Sequence, residues 1–324
     1  MSGLSDARLG FNFQLVRSGE RPASPGRHSR ELTISSPDSS VPVSIPGTSF
    51  IRMPFKTINS KSLYYTLTPP SSTSTSSSNP LTLLFIHGLG SSSSFYFPII
   101  PYISSLGHRC ITLDTHGSGA SIYNAEAGNS ISSIASDATS LLDALQIEKD
   151  VVVLGHSMGG IVASQLAASD VNGRVKAVVL IGPVNPNPAA AEVFGKRIKI
   201  VEEQGMEAMA TTIPQAATGT RCSALVRAFI RQLLIGTNPD GYNSLCRTIA
   251  EAPVPDYASI KVPVLLLAGE EDKSAPLSGC EKILEGYKSE IKTLNVLSGV
   301  GHWHVLEAPE EVQKVVGAFL SELS

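Results

Sequence analysis

Six runs of consecutive apolar residues, separated by helical patterns, constrain the fold of this chain more than any other feature. The runs are too continuous to alternate between a buried and an exposed face, so they predict strands that are covered on both sides. Apolar residues recur at helical spacing between and after them, for example over 131–145 and 312–323. This alternation predicts an α/β fold with a doubly wound, mostly parallel sheet. The six runs are LTLLFIHG, HRCITLDTHG, DVVVLGHS, KAVVLIGPV, VPVLLLAGEED and IKTLNVLSG.

Three segments fall outside this alternation. Residues 185–260 carry helical patterns and no convincing strand, which predicts an inserted helical cap over the edge of the sheet where ligands bind. The sheet domain is therefore predicted to comprise residues 49–184 and 261–324. Residues 1–48 are rich in Ser, Pro, Gly and Arg, which indicates an irregular N-terminal extension. Two short β-like runs around Asn59 and Ser60 predict a hairpin before the sheet.

Charge and composition limit the classes of partner and the compartment. The net charge of −3 and the lack of a basic stripe argue against nucleic acid, and no apolar run is long enough to span a membrane. Neither the four scattered cysteines nor the seven histidines have ligand spacing, so we expect reduced thiols, no metal and no cofactor. These features favour a cytoplasmic protein that acts on a small molecule, with its oligomeric state open. The alternative is a transit peptide in the first 31 residues, which hold five Arg against three acids.

The strand DVVVLGHS leads directly into the pattern Gly-x-Ser-x-Gly around Ser157. A serine on a tight turn between a strand and a helix is typical of a nucleophile elbow, which presents its hydroxyl above the sheet. Side chains two positions before and after that serine would collide, and Gly155 and Gly159 avoid the collision. The alternative is an incidental Gly-Ser turn, which the strand before it and the alanine-rich helix after it make the weaker interpretation.

A nucleophilic serine requires a base, and the base requires an acid, which should follow Ser157 at later strand ends. Asp272 is the predicted acid, whereas its neighbours Glu270 and Glu271 are interpreted as solvated loop charges. His302 is the predicted base, because glycines on its N-terminal side let the loop reach the serine. His304 is the rival candidate.

The oxyanion of such a reaction requires backbone donors. The N–H of Met158 begins the helix after Ser157 and has no partner within it, and the N–H of Leu89 is the second candidate. Gly88 permits a close approach of the loop that carries Leu89. His87 is expected to support that loop, with a role as a second base as the alternative. Trp303 is placed in the substrate pocket, and seven apolar cap residues are considered as lining or packing residues: Ile198, Ile200, Met206, Met209, Phe229, Leu233 and Leu234.

These motifs occur in one order: HGLG, DTHGSGAS, GHSMGG, GEEDKSAP and GHWHVLEAPEEV. In that order the chain resembles the α/β-hydrolase superfamily over about residues 50–324, and within it the 3-oxoadipate enol-lactonase-like group. The resemblance implies a triad of Ser157, His302 and Asp272 with an oxyanion hole at Leu89 and Met158. It departs from the superfamily pattern at His116, where arginine is frequent.

The predicted function is a serine hydrolase that cleaves a small carboxylic ester or lactone through an acyl-enzyme. The same triad also serves amide, thioester and carbon–carbon bond hydrolysis, so these reactions stay open. A nucleophilic Ser157 argues against an epoxide hydrolase or a dehalogenase, in which a carboxylate attacks. A rival interpretation from another class is a hydrolase-fold protein that senses a ligand without turnover.

Overall fold

Eight strands form one sheet in the computed structural model, which describes residues 54–71 and 79–323. The strand order across the sheet is β1-β2-β4-β3-β5-β6-β7-β8. Strand β2 pairs antiparallel with β1 and β4, and every other pairing is parallel. The predicted mostly parallel α/β sheet is therefore confirmed. The strands are β1 (Phe55–Ile58), β2 (Lys61–Thr68), β3 (Thr82–Ile86), β4 (Arg109–Leu113), β5 (Val151–His156), β6 (Val175–Ile181), β7 (Val264–Gly269) and β8 (Lys292–Leu297).

The predicted hairpin is formed by β1 and β2, and Asn59 and Ser60 form its turn. Both residues have positive φ, at 47° and 65°, as a two-residue turn between twisted strands requires. All of β3, β5 and β7 is buried, which explains their unbroken apolar sequences. The prediction that all six runs are covered on both sides is wrong for β8. It lies at the edge of the sheet, pairs only with β7, and leaves Val296 43% exposed.

Helices flank the sheet and fill the connections between its strands. Helix α2 begins after Ser130, whose side chain and that of Ser133 form a reciprocal capping box, and it buries the apolar face predicted for 131–145. The last helix begins at Pro309 with two acids in its first turn, as predicted. The helices are α1 (Ile100–Ser105), α2 (Ile131–Ala144), α3 (Met158–Ala168), α4 (Pro188–Gln204), α5 (Met206–Ala216), α6 (Ala224–Ile235), α7 (Pro239–Ala250), α8 (Leu277–Gly286), α9 (His304–Glu307) and α10 (Pro309–Leu323).

Helices α4 to α7 occupy the interval between β6 and β7, where the sequence predicts the cap. Among the described residues, this interval contains no strand. The assignment of 185–260 to a separate cap stays a prediction, and the extension predicted at 1–48 lies outside the described residues. Within the described part of the chain, no helix has the length and apolarity needed to cross a membrane.

Candidate active site

Ser157 lies in a strained backbone turn between β5 and α3. Its φ of 55° and ψ of −117° fall in a region that L-residues rarely adopt, so the surrounding structure must hold it there. The two glycines of the motif allow this turn. A Cβ atom on Gly155 would overlap the backbone of Gly159, and a Cβ atom on Gly159 would overlap the carbonyl oxygen of Ile86 on the neighbouring strand β3. The turn is therefore packed backbone against backbone.

A chain of hydrogen bonds joins Ser157 to two residues from the last third of the sequence. The Ser157 hydroxyl donates to Nε2 of His302 over 2.9 Å, and Nδ1–H of His302 donates to Oδ2 of Asp272 over 2.8 Å. Asp272 follows β7 and His302 lies between β8 and α9, so neighbouring strands bring them together at one edge of the sheet. The structure thus brings together the three residues predicted as a triad.

The Asp272 carboxylate is buried and held in its ionised form. Burial alone would raise its pKa, but the attraction and hydrogen bond of His302 outweigh burial and bring the pKa of Asp272 well below its usual range. The backbone N–H groups of Ser274 and Ala275 add to this effect by donating to Oδ1 over 2.8 and 2.9 Å. One oxygen is therefore fixed by the backbone, and the other is free to orient the His302 ring.

His304, the rival base, lies one side chain away from this chain of hydrogen bonds. Its Nε2 is 3.9 Å from Oδ2 of Asp272, and its Nδ1–H donates to the carbonyl oxygen of His302 over 2.9 Å. His156 donates to the same carbonyl oxygen from Nε2 over 2.8 Å. Two imidazole rings therefore hold the backbone of His302 from two sides.

Both supporting imidazoles are neutral. Burial lowers the pKa of His304 to about 4 and lowers the pKa of His156 well below its usual value. This agrees with the hydrogen bonds, because a neutral ring that donates from one nitrogen carries no proton on the other. The second nitrogens, Nδ1 of His156 and Nε2 of His304, have no hydrogen-bond partner among the described residues. The two rings thus fix His302 without adding positive charge beside it.

Sequence reasoning missed Glu307, which organises the loop around His302. Its buried carboxylate accepts from the N–H groups of Gly301 over 3.0 Å and Trp303 over 2.9 Å, on either side of His302. It also accepts from Gly219 over 2.7 Å, in the segment between α5 and α6. The backbone N–H of His302 donates to Ala217 in that segment. The signal for Glu307 was present as a single acid among apolar residues in HVLEAP.

The predicted oxyanion donors lie next to Ser157. Met158 is the first residue of α3, Leu89 lines the same cavity as Ser157, and a Cβ atom on Gly88 would lie 2.8 Å from Cβ of Ser157. Neither the N–H of Leu89 nor that of Met158 donates a hydrogen bond to another described residue. Both donors are therefore free for an acceptor at Ser157.

His87 holds the loop that carries Leu89. Its Nδ1–H donates to the carbonyl oxygen of Gly88 over 2.8 Å, and its Nε2 accepts from the N–H of Thr115 over 3.0 Å. Burial lowers the pKa of this fully enclosed ring, although Asp114 and Gly88 partly oppose the shift. Both ring nitrogens are occupied by these contacts, which fits the expected supporting role.

A cavity of about 500 Å³ opens beside Ser157 and His302. Trp303 lines it, as predicted for the pocket, and its indole nitrogen has no partner among the described residues. None of the seven apolar cap residues considered for the pocket lines this cavity. Met206, Met209 and Leu234 are buried in the core instead, and Phe229 is 39% exposed. The segment between β6 and β7 contributes residues around α4 and at the end of α5 to this cavity: Asn187, Ala189, Ala190, Val193, Phe194, Arg197, Ile213, Ala216 and Ala217.

Within the described residues, no group of three or more His, Cys, Asp or Glu side chains could hold a metal ion. The four cysteines are free, as expected. Glu270 is exposed, as a solvated loop charge should be, and Glu271 is half-buried, but both also accept hydrogen bonds from the protein. Glu270 accepts from Ser298 and Gly299, and Glu271 accepts from Thr220, because the loop after β7 lies against these segments.

Comparison with known proteins identifies relatives along most of the chain. The "Putative carbamate hydrolase RutD" of Caulobacter sp. (strain K31) is 27% identical over 249 residues, which are 74% of this chain and 90% of that protein. The (E)-2-((N-methylformamido)methylene)succinate hydrolase of Acinetobacter baylyi is 25% identical over 242 residues, 74% of this chain and 89% of that protein.

Solved structures agree with these relatives. The enol-lactonase from Burkholderia xenovorans LB400 superposes with a TM-score of 0.73 at 25% identity, covering 83% of this chain and all of that one. The family model described as "Serine aminopeptidase, S33" matches residues 78–309, more than half of the chain. The resemblance inferred from the motifs is thereby confirmed. The chain belongs to the S33 family of α/β-hydrolases and is a hydrolase.

Proposed function

We propose that this hydrolase cleaves a small carboxylic ester or lactone with Ser157 as the nucleophile. The observation that carries the proposal is the hydrogen-bonded chain from Ser157 through His302 to Asp272. A serine hydroxyl is a poor nucleophile unless a neighbouring base accepts its proton, and a base is effective when a third group fixes its tautomer. The ionised Asp272 keeps the proton of His302 on Nδ1, which leaves Nε2 free to accept.

The reaction begins when His302 Nε2 takes the proton of Ser157 as the serine oxygen attacks the carbonyl carbon. The carbonyl π bond becomes an oxyanion, which accepts hydrogen bonds from the N–H groups of Leu89 and Met158. Collapse of this intermediate breaks the bond to the leaving oxygen, which takes the proton from His302. The product is an acyl-enzyme, and for a lactone the leaving alcohol stays attached to the acyl group.

Water then releases the acid in the reverse order. His302 accepts a proton from water, the hydroxide attacks the acyl carbon, and Ser157 leaves with the proton from His302. Each backbone donor in a site of this kind contributes about 3 kcal/mol to transition-state stabilisation. The strained Ser157 turn and the anchored His302 loop support the proposal, because they hold the reacting atoms in place before substrate binds.

A carbamate or a related amide is the second candidate substrate class. Its support is that several relatives are named putative carbamate hydrolases. Carbamates react at the same kind of carbonyl carbon, with nitrogen or oxygen as the leaving atom, so the same residues would serve.

The test compares wild type, Ser157→Ala and Ser169→Ala on a panel of 4-nitrophenyl acetate, γ-butyrolactone and an aryl carbamate. Ser169 is exposed at the end of α3, so its variant is a matched loss of one hydroxyl outside the site. Wild type and Ser169→Ala should turn over at least one substrate, and Ser157→Ala should lose at least a thousandfold in kcat. A fluorophosphonate should label Ser157 in the folded protein.

Two results would contradict the proposal. Retained turnover in Ser157→Ala would remove the serine from the chemistry. Absence of both turnover and labelling in the wild type would favour the ligand-sensing interpretation.

A further inference from the structure

The cavity beside Ser157 has an unbalanced charge. Arg197 from α4 and Lys273 from the loop after β7 line it together with Ser157 and His302. Among the described residues that line it, none is Asp or Glu. The chain as a whole carries a net charge of −3, so two cations without an acid do not reflect a generally basic surface. The imbalance is local to the candidate active site.

An adjoining cavity of about 280 Å³ extends the same pattern. It shares Val184, Asn187, Ala190, Ser274 and Pro276 with the first cavity, so these residues form a wall common to both. Lys282 lines its far part, and again none of the described lining residues is acidic. The charged side chain that lines this second cavity is therefore a cation too.

Arg197 is held in place without being neutralised. Its guanidinium carbon lies 5.0 Å from the centre of the Phe194 ring, one helical turn earlier on α4. Its charge also reaches the buried Tyr242, where it opposes the rise in pKa that burial causes. It forms no ion pair with a carboxylate among the described residues. The contact with Phe194 restricts the side chain, so binding an anion costs it little further conformational entropy.

Lys273 belongs to the loop after β7 that carries Asp272. It directly follows Asp272, and the backbone on its C-terminal side is fixed because Ser274 and Ala275 donate to the Asp272 carboxylate. Lys273 is exposed and, among the described residues, forms no ion pair with a carboxylate. With its backbone held beside Asp272, Lys273 lines the same cavity as Ser157.

We propose that Arg197 and Lys273 bind an anionic oxygen group of the substrate, a carboxylate or a phosphate, so that the preferred substrate is a negatively charged ester or lactone. The hydrolysis of such a substrate rests on the function proposed above, whereas anion binding by Arg197 and Lys273 does not. A guanidinium fork matches the geometry of both groups, and the apolar walls formed by Val184, Phe194 and Trp303 strengthen the attraction by excluding water. Arg197 and Lys273 thus favour a negatively charged substrate, while the apolar walls contact its carbon chain.

The binding test uses the single tryptophan of the chain as its reporter. Trp303 lines the cavity, so its fluorescence should respond when an anion occupies the site. Glutarate and propyl phosphate are titrated, with the neutral glutaramide for comparison. At least one anion should give a saturable response at concentrations where glutaramide gives none. Arg197→Gln should weaken that binding about tenfold or more.

Lys196→Gln is the matched control for charge. Lys196 precedes Arg197 on the same helix, pairs with Glu192, is 69% exposed, and does not line the cavity. Its variant removes the same unit of charge and should change the dissociation constant less than twofold. Equal weakening by both variants, or equal binding of glutaramide and the anions, would overturn the inference, because neither result requires a specific anion site.

A second measurement separates this inference from the proposed function. The ratio of kcat/KM for mono(4-nitrophenyl) glutarate to that for 4-nitrophenyl butyrate should exceed ten in wild type, fall about tenfold in Arg197→Gln, and stay unchanged in Lys196→Gln. Hydrolysis of both esters at similar rates, with a ratio that Arg197→Gln does not alter, contradicts the anion site and leaves the hydrolase. Saturable glutarate or phosphate binding that depends on Arg197, without hydrolysis of either ester, supports the anion site and contradicts the hydrolase proposal.

Discussion

The turn at Ser157 and the loop at His302 hold adjacent atoms of one site by different physical means. The serine turn is fixed by contacts between backbone atoms, since Gly155 and Gly159 leave no room for a Cβ. The histidine loop is fixed by polar groups, with Glu307 accepting from the N–H groups on either side of His302 and two imidazoles donating to its carbonyl oxygen. Steric contacts do not depend on pH, whereas buried titratable groups do. We call the Ser157 turn the steric half of the site and the His302 loop the polar half. We expect added side-chain volume to disrupt the steric half at any pH, and we expect loss of a polar group or a fall in pH to disrupt the polar half.

The largest expected effect comes from Gly159→Ala, which breaks the steric half. The added Cβ would overlap the carbonyl oxygen of Ile86, and because both partners are backbone, β3 and α3 must separate. We expect the free energy of unfolding to fall by about 3 kcal/mol or more. Urea unfolding followed by circular dichroism measures the change, and the loss should be the same at pH 5 and pH 8.

Gly195→Ala is the control for this substitution. Gly195 lies inside α4, and a Cβ there would meet nothing within 4 Å. Alanine should leave stability unchanged or raise it by up to about 1 kcal/mol, because alanine favours helix. If Gly159→Ala behaved like Gly195→Ala, the steric account of the serine turn would be wrong.

The next effect in size is expected from Glu307→Gln, which breaks the polar half. The carboxylate accepts three backbone N–H groups with two oxygens, whereas glutamine offers one oxygen and an NH₂ group. At least one buried N–H must then lose its acceptor, at a cost of about 2 kcal/mol in unfolding free energy. Because two of these N–H groups flank His302, kcat on an ester should fall about tenfold.

Glu310→Gln is the matched control, since Glu310 is exposed near the start of α10. That variant should change both the unfolding free energy and kcat by little. An unchanged kcat in Glu307→Gln, with lowered stability, would mean that Glu307 supports the fold and does not position His302.

The same contrast explains which parts of the fold and of the candidate site can be predicted from the sequence. The serine turn can be predicted from the sequence because its constraint is local, with glycines two residues before and after Ser157. The strands can be predicted because burial on both faces requires unbroken apolar runs. The exception is β8, where an apolar run lies at an exposed sheet edge, because pairing on one side only leaves its faces partly uncovered.

The supports of His302 were not predictable by the same reasoning. Glu307 accepts from Gly219, and His302 donates to Ala217. Both partners lie far away in the chain and reach the His302 loop only when helices α4 to α6 dock. The cavity lining depends on that docking too, so apolar residues at helical spacing in 198–234 were as compatible with a pocket as with the core. Arg197 and Lys273 carry no local pattern at all, and only the folded chain places them beside one cavity.

The smallest expected effect at neutral pH comes from His304→Asn, because its main consequence is a change in the response of stability to acid. Burial lowers the pKa of His304 to about 4, while the unfolded chain takes up this proton near pH 6.5. As the pH falls below 6.5, the unfolded state therefore binds more protons than the folded state, and stability is lost down to about pH 4. At pH 5 the loss amounts to about 2 kcal/mol from this residue.

His304→Asn retains a donor toward the His302 carbonyl but has no titratable ring. Its unfolding free energy, measured in urea from pH 8 to pH 5, should fall less steeply than that of wild type by this amount, even if it starts lower. His302, Asp272 and His156 face His304 and are present in both proteins. Asp272 stays ionised and His156 stays neutral over this range, because the pKa of each lies well below its usual value. Parallel curves for the two proteins would show that His304 titrates near its ordinary pKa, and the polar half would then be no more sensitive to acid than the steric half.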